Sequence, residues 1–279
     1  MSPPMNDSHS HPTTLPHALV FDSGVGGLSV LREIAALLPQ LRLTYAADNA
    51  AFPYGKKTET ELVARVSAVI GALVEATAPD IVVIACNTAS TTALAAVRQF
   101  LAVPVIGVVP AIKPAAAASR SRVIGLLGTK TTVASAYTAA LIKQFADGCT
   151  VLTCGSPELV EAAERKLQGL PPGDAEIAAA VAHLFGQPDG DRLDTVVLGC
   201  THFPLLAEEL AAAAPHQVAW MDSGAAIARR VATILGIVPV EQTNRPAQRA
   251  IFTADTPSVA RMLSGLESFG LDEVSFLKV

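Results

Sequence analysis

From residue 18 onward, short runs of aliphatic and β-branched residues alternate with longer stretches in which apolar positions recur every three or four residues. The runs 18–21, 43–46, 81–86, 103–109, 123–127, 151–152, 196–200 and 218–221 read as strands, with two more near 251–253 and 274. Most are continuously apolar rather than alternating, as expected of strands covered by helices on both faces. Between them, Leu28, Leu31, Ile34, Ala35 and Leu38 fall on one face of a helix that Pro39 stops. Thr58 and Glu61 have capping-box spacing ahead of Leu62, Val66, Val69, Ile70 and Leu73, and Pro79 closes that helix. Further helices are predicted over 89–101, 132–145, 157–167, 175–185, 205–214, 225–235 and 258–266. This alternation predicts the α/β class, with parallel strands joined by helical crossovers.

Composition narrows the function. A chain of 279 residues, 51% hydrophobic and 16% charged, is long enough for one large or two ordinary domains with a sizeable core. Its 20 Lys and Arg against 25 Asp and Glu leave a net charge of −5, so there is no positive field to hold a nucleic acid substrate. Four cysteines, at 86, 149, 154 and 200, are too few for a secreted disulfide framework and form no paired metal knuckles. Reduced thiols and a cytoplasmic location are expected. The first 16 residues, rich in Pro, Ser, Thr and His, lack a signal peptide's basic and apolar regions, so residues 1–17 are expected to be a disordered extension. The charge-free run 81–97 carries Asn87, Thr88, Ser90, Thr91 and Thr92 at its centre, which argues against a membrane span. His9, His11 and His17 are too weak a set to propose a metal, and no HExxH or GxSxG pattern is present. For a pyridoxal route, only Lys113 and Lys130 fall in strand-end loops.

The chemistry concentrates at strand ends, where open parallel sheets place their ligands. Val82-Val-Ile-Ala-Cys86-Asn87-Thr88 and Val196-Val-Leu-Gly-Cys200-Thr201-His202 share one plan: apolar strand, cysteine, polar turn, helix. A lone cysteine after an apolar run is ordinarily a small buried hydrophobe. Seen twice, next to hydrogen-bonding residues and a helix start that lowers a thiol pKa, it reads as chemistry. Cys149 and Cys154 lack that setting. A second echo pairs Asp22-Ser23-Gly24 with Asp222-Ser223-Gly224, and together the echoes suggest two related half-domains. The run from Asp22 to Gly27 opens a helix and is expected either to offer its amides to a small anion or to serve as a tight turn. Thr129, after the fifth strand, is either part of another anion site or a helix cap. Two matched thiols suit inversion of a hydrogen-bearing stereocentre, one removing a proton on one face while the other delivers one to the opposite face.

The segments V-F-D-S-G-V-G-G-L-S-V (20–30), D-N-A-A-F-P-Y-G (48–55), A-C-N-T-A-S (85–90), G-V-V-P-A-I-K-P-A (107–115) and L-G-C-T-H-F-P-L-L (198–206) together resemble glutamate racemases, over a span from about residue 18 to the C-terminus. The resemblance implies interconversion of L- and D-glutamate without a cofactor or metal, supplying D-glutamate for peptidoglycan. It implies two pseudo-symmetric parallel-sheet α/β domains with the active-site cleft between them: 18–111 plus 225–279, and 112–224. It makes Cys86 and Cys200 the acid/base thiols, and Asp22, Ser23, Tyr54, Gly55, Asn87, Thr88, Thr201 and His202 substrate-binding. Asp48, Thr129 and Glu161 are implied to lie close behind. The extension and the V-P-A-I-K-P-A segment (109–115) are similar to those of Gram-negative bacterial enzymes activated by UDP-N-acetylmuramoyl-L-alanine, which makes that precursor an expected activator; the chain itself is expected to be a monomer or a homodimer. The residues themselves leave three alternatives open: an aspartate or related racemase, a two-lobed amino-acid binding protein, and a single-cysteine hydrolase or transferase.

Overall fold

The computed structural model describes residues 15–240 and 246–279. The expected extension lies mostly outside these residues, as does much of the polar stretch after Pro239. His17, assigned to that extension from sequence, instead opens the first strand: it is buried, its amide donates to Asp80 and its ring Nε2 lies 2.8 Å from Thr44 Oγ1.

The chain then alternates as predicted. Its elements are β1 (His17–Asp22), α1 (Leu28–Leu37), β2 (Arg42–Ala47), α2 (Glu59–Thr77), β3 (Ile81–Ile84), α3 (Asn87–Phe100), β4 (Val105–Gly107) and α4 (Ile112–Ala118). They continue with β5 (Val123–Gly128), α5 (Lys130–Ala134), α6 (Ala136–Phe145), β6 (Thr150–Gly155), α7 (Pro157–Leu167), α8 (Asp174–Phe185), β7 (Thr195–Gly199) and α9 (Ala207–Ala213). Last come β8 (Ala219–Met221), α10 (Gly224–Leu235), β9 (Gln248–Phe252), α11 (Pro257–Glu267) and β10 (Leu271–Phe276).

Two wholly parallel sheets result, ordered β10-β9-β2-β1-β3-β4 and β6-β5-β7-β8. The four strands β2-β1-β3-β4 and β6-β5-β7-β8 have the same wiring, so the strand-order reversal falls between β1 and β3 in one and between β5 and β7 in the other. The continuous apolar runs are explained by burial on both faces. In β1, Ala18 and Val20 join the core under α1 and α10, while Leu19 and Phe21 join the one under α2 and α3. In β5, Val123 and Leu127 face one core and Ile124 and Leu126 the other. Each of the Leu, Ile, Val and Phe side chains among these contributes about 1.5–3 kcal/mol by leaving water. The chain returns to the first sheet through α10, whose Ile227, Ala228 and Val231 pack with α1.

Several local boundaries moved for stated reasons. The predicted helix 132–145 is two helices, because Thr129 and Ser135 each turn a hydroxyl onto the backbone amide three residues on, at 3.1 Å, and so start separate helices. The predicted strand 103–109 shrinks to β4 between Pro104 and Pro110. Helix α4 was not expected; its Pro114 sits in the first turn, where no intrahelical amide is lost. The capping box at Thr58 and Glu61 is present as predicted.

Candidate active site

The two thiols leave their strands at equivalent points of the two sheets. β3 stops at Ile84, two residues short of the predicted end, so Cys86 quits the sheet and takes the N-cap position of α3. β7 stops at Gly199, and Cys200 opens a turn that leads through the single helical turn Phe203–Leu206 into α9. Both side chains are nearly buried, 6% and 5% exposed, and both line one cavity of about 210 Å³. That volume suits a ligand smaller than a drug-sized molecule.

The two sulfurs have different neighbours. Ser23 Oγ lies 3.9 Å from Cys86 Sγ. Burial pushes the Cys86 thiol well above its ordinary pKa, the Asp22 carboxylate pushes it further, and the Ala89 amide in the first turn of α3 only partly offsets them. The expectation that a helix start would lower this pKa is therefore overturned: desolvation and a like charge outweigh the helix. On the other side, His202 Nδ1 lies 3.8 Å from Cys200 Sγ, and its Nε2 is 2.9 Å from Glu164 Oε1. Burial alone would lower the pKa of His202, but its hydrogen bonds to Cys200 and Glu164 hold it well above the ordinary value. One thiol is kept protonated beside a carboxylate; the other sits beside an imidazolium.

The loop from Asp22 to Gly27 does not hold out its amides to a ligand. Asp22 Oδ1 accepts from Ser23 N at 2.6 Å and Oδ2 from Gly27 N at 2.5 Å, while Val25 N donates to Glu164 Oε1 at 2.9 Å. The anions received are the protein's own carboxylates, so the expected anion site is a correction. Asp22, expected to bind substrate, is fully buried behind the wall, where Thr201 Oγ1 also donates to it at 3.3 Å. Burial raises its pKa against the pull of His202 and the two amides. Gly26 is required by close approach: a Cβ there would lie 2.7 Å from the His202 backbone nitrogen and closer still to its ring.

The remaining expected residues divide into wall and support. Ser23, Tyr54, Gly55, Asn87, Thr88, Thr129, Glu161, Thr201 and His202 all line the cavity. Asn87 Oδ1 is buried with no hydrogen-bond partner among the described residues, an open acceptor in the first turn of α3. Thr88 Oγ1 and Thr129 Oγ1 approach across the two sheets at 3.4 Å, and Thr129 is also the helix cap of α5. Tyr54 donates its hydroxyl away from the cavity to Asp48 Oδ2 at 2.7 Å. Asp48 stands behind that ring and also accepts from Thr253 at 2.7 Å and from Nε and Nη2 of Arg65 at 2.9 and 2.7 Å. Burial would raise its carboxyl, but Arg65, Tyr54 and Thr253 hold it below the ordinary range.

Glu164 was missed. Glu161, the acidic residue expected there, is exposed at the rim, whereas Glu164 lies one helical turn further along α7 and meets a partner 38 residues away. Lys56, Lys130, Phe52 and Pro157 also line the cavity without having been expected there. Cys154 is a core residue of β6, 3.7 Å from Ala180 O, and Cys149 packs beneath α4 and α6. The second echo is not a structural equivalence: Asp222 follows β8, whereas the counterpart of β1 in the shared wiring is β5. Among the described residues no three His, Cys, Asp or Glu side chains converge as metal ligands, and no helix is long and apolar enough to cross a membrane.

A cysteine at each strand-order reversal, on one small cavity between two like-wired sheets, defines the class. The chain belongs to the Asp/Glu/hydantoin racemase family, whose model matches residues 25–231. Within it the chain groups with the glutamate racemases. A glutamate racemase of Pectobacterium carotovorum is 48% identical over 94% of this chain and 91% of its own. The Escherichia coli glutamate racemase, solved with L-glutamate and the activator UDP-MurNAc-Ala, is 45% identical with a TM-score of 0.89, covering 95% of this chain and 99% of its own. The Bacillus anthracis isoform RacE1 is 28% identical with a TM-score of 0.78, covering 95% and 97%.

Proposed function

We propose that Cys86 and Cys200 interconvert L- and D-glutamate by direct proton transfer at the α-carbon. The observation that carries this reading is the pair of buried thiols, one from each sheet, on a single cavity. One thiolate takes the C2 proton, the other thiol gives its proton to the opposite face, and the two exchange roles for the reverse reaction, so protons and charge balance. His202, held cationic by Glu164, places a positive charge beside Cys200 Sγ. In one direction of the reaction, the proton that burial and Asp22 keep on Cys86 is the one delivered. The negative charge that develops toward the α-carboxylate is met by the hydroxyl and amide donors of Ser23, Asn87, Thr88, Thr129 and Thr201. Tyr54 and Gly55 shape the opposite wall, and Asp22 and Asp48 act through the groups they hold rather than on substrate.

In this reading the domains are 17–111 with 225–279, and 112–224, the first starting one residue earlier than expected because His17 opens β1; the division of strands between the two sheets supports them. The activator bound to the Escherichia coli relative supports a test of UDP-N-acetylmuramoyl-L-alanine on this chain and a role in supplying D-glutamate for peptidoglycan, with the cytoplasm as the location this reading takes. The family description names aspartate as well as glutamate, so aspartate racemisation is the second reading.

The test is L-glutamate in heavy water, with and without the muramoyl precursor, following optical rotation and loss of the C2 proton signal. Deuterium at C2 of the racemised product is expected, and no exchange under either condition would overturn the assignment. Cys200→Ser is expected to lower kcat/KM by at least about a hundredfold. Faster turnover of L-aspartate than of L-glutamate would move the assignment to the second reading.

A further inference from the structure

The proton-transfer chemistry leaves one feature of the cavity unused, the charge at its mouth. The inner wall offers neutral donors from Ser23, Asn87, Thr88, Thr129 and Thr201, whereas the solvent-facing lining carries Lys56, Lys130 and Glu161. Lys56 closes the helical turn Tyr54–Lys56 beside the first sheet, and Lys130 opens α5 on the second. The two lips meet between them, where Thr131 Oγ1 donates to Gly55 O at 3.2 Å. The lysines therefore stand on opposite lips of one opening, each one residue from that contact. Among the described residues neither ammonium has a carboxylate within ion-pair distance, while other surface cations such as Arg192 and Lys166 do. Glu161, also on the rim, leaves the three rim charges at a net positive value.

We propose that Lys56 and Lys130 form a cationic collar that captures the side-chain carboxylate of an acidic amino acid on entry and selects such substrates over neutral ones. This rests on the racemase reading and names what gives that site its preference for a second carboxylate. Glutamate carries one net negative charge at neutral pH, whereas an amino acid with an uncharged side chain carries none. A cleft lined by one sign of charge between low-dielectric walls raises on-rates for the opposite sign by roughly 10- to 1,000-fold at low salt. The collar acts on encounter and ground-state binding, so its effect falls on kcat/KM through KM while kcat is little changed. Both enantiomers present the same side-chain carboxylate, so the collar does not discriminate between them.

The experiment uses the full chain and measures L-glutamate racemisation at about 0.01 M and 0.15 M salt, where the Debye length is about 30 and 8 Å. The wild type is expected to lose kcat/KM as salt rises. The double variant K56E/K130E should fall at least about tenfold in kcat/KM at low salt, with kcat within about twofold, and should invert the salt dependence, its kcat/KM rising as salt screens the repulsion. K56R/K130R, which keeps both charges, should retain both properties. K143E, on the exposed face of α6, makes the same sign of change away from the mouth and should behave as wild type. An unchanged kcat/KM and salt slope in K56E/K130E would overturn the collar while leaving the racemase intact. A wild type that racemises no acidic amino acid overturns the underlying function instead.

Discussion

Glu164 accepts from the Val25 amide of the first sheet's loop and faces the His202 ring of the second, so one carboxylate ties the glycine loop to the imidazole that serves Cys200. Its replacement is informative because the two enantiomers have equal free energy, which forces kcat/KM to change by the same factor in both directions. Glu164→Gln is expected to lower kcat/KM about tenfold or more for L- and D-glutamate alike. It should also shift the pH limb assigned to His202 toward lower pH, because the imidazolium loses a partner that raises its pKa. An unshifted profile would remove Glu164 from control of that proton. The thiols and His202 were legible because their function shows in their immediate neighbours. Glu164 was not, because nothing beside it in the chain distinguishes it from Glu161, and the contact that does is made across the fold.

At the scale of elements, strand, turn and helix were readable because each carries its own signal: continuous apolar runs for strands, capping residues for helix starts, prolines for stops. The box at Thr58 is the cleanest case, with Thr58 N donating to Glu61 Oε2 at 2.8 Å and Glu61 N returning to Thr58 Oγ1 at 3.4 Å. Thr58→Ala is expected to cost about 0.5–1 kcal/mol in denaturant unfolding, the low end for a cap because the site is exposed. A change below about 0.2 kcal/mol would mean that the helix is held by its buried face alone. Where the reading slipped, short-range signals competed. Ser135 was available both as a helix residue and as a cap, and the hydroxyl on the Thr138 amide decided for the cap.

The whole molecule is two like-wired sheets, with the first extended by β9 and β10 after the chain crosses back, and its pH response reflects carboxylates distributed through that frame. Burial tends to raise the Asp194 carboxyl, but the amides of Ser121 and Arg120, each at 2.7 Å, and the Ser119 and Ser121 hydroxyls bring its pKa down to about 2. A carboxyl lowered by folding stabilises the native state above its unfolded pKa of about 3.9, and that contribution is lost as pH falls through the folded value. Asp194→Asn is therefore expected to flatten the loss of unfolding free energy between about pH 4 and pH 2, by no more than about 1 kcal/mol because water screens the partly exposed group. Identical acid limbs for variant and wild type would contradict this. What the sequence determined by itself was whatever depends on neighbours in the chain: the α/β alternation, the cysteine after each switch-point strand, and the half-domain echo those cysteines form. Only the tertiary structure decided that β5 rather than β8 is the counterpart of β1. It alone turned the amides of the glycine loop onto Asp22 and Glu164, and it raised rather than lowered the Cys86 pKa. Those outcomes depend on burial and on charges distant in sequence, and neither exists until the two sheets close on one cavity.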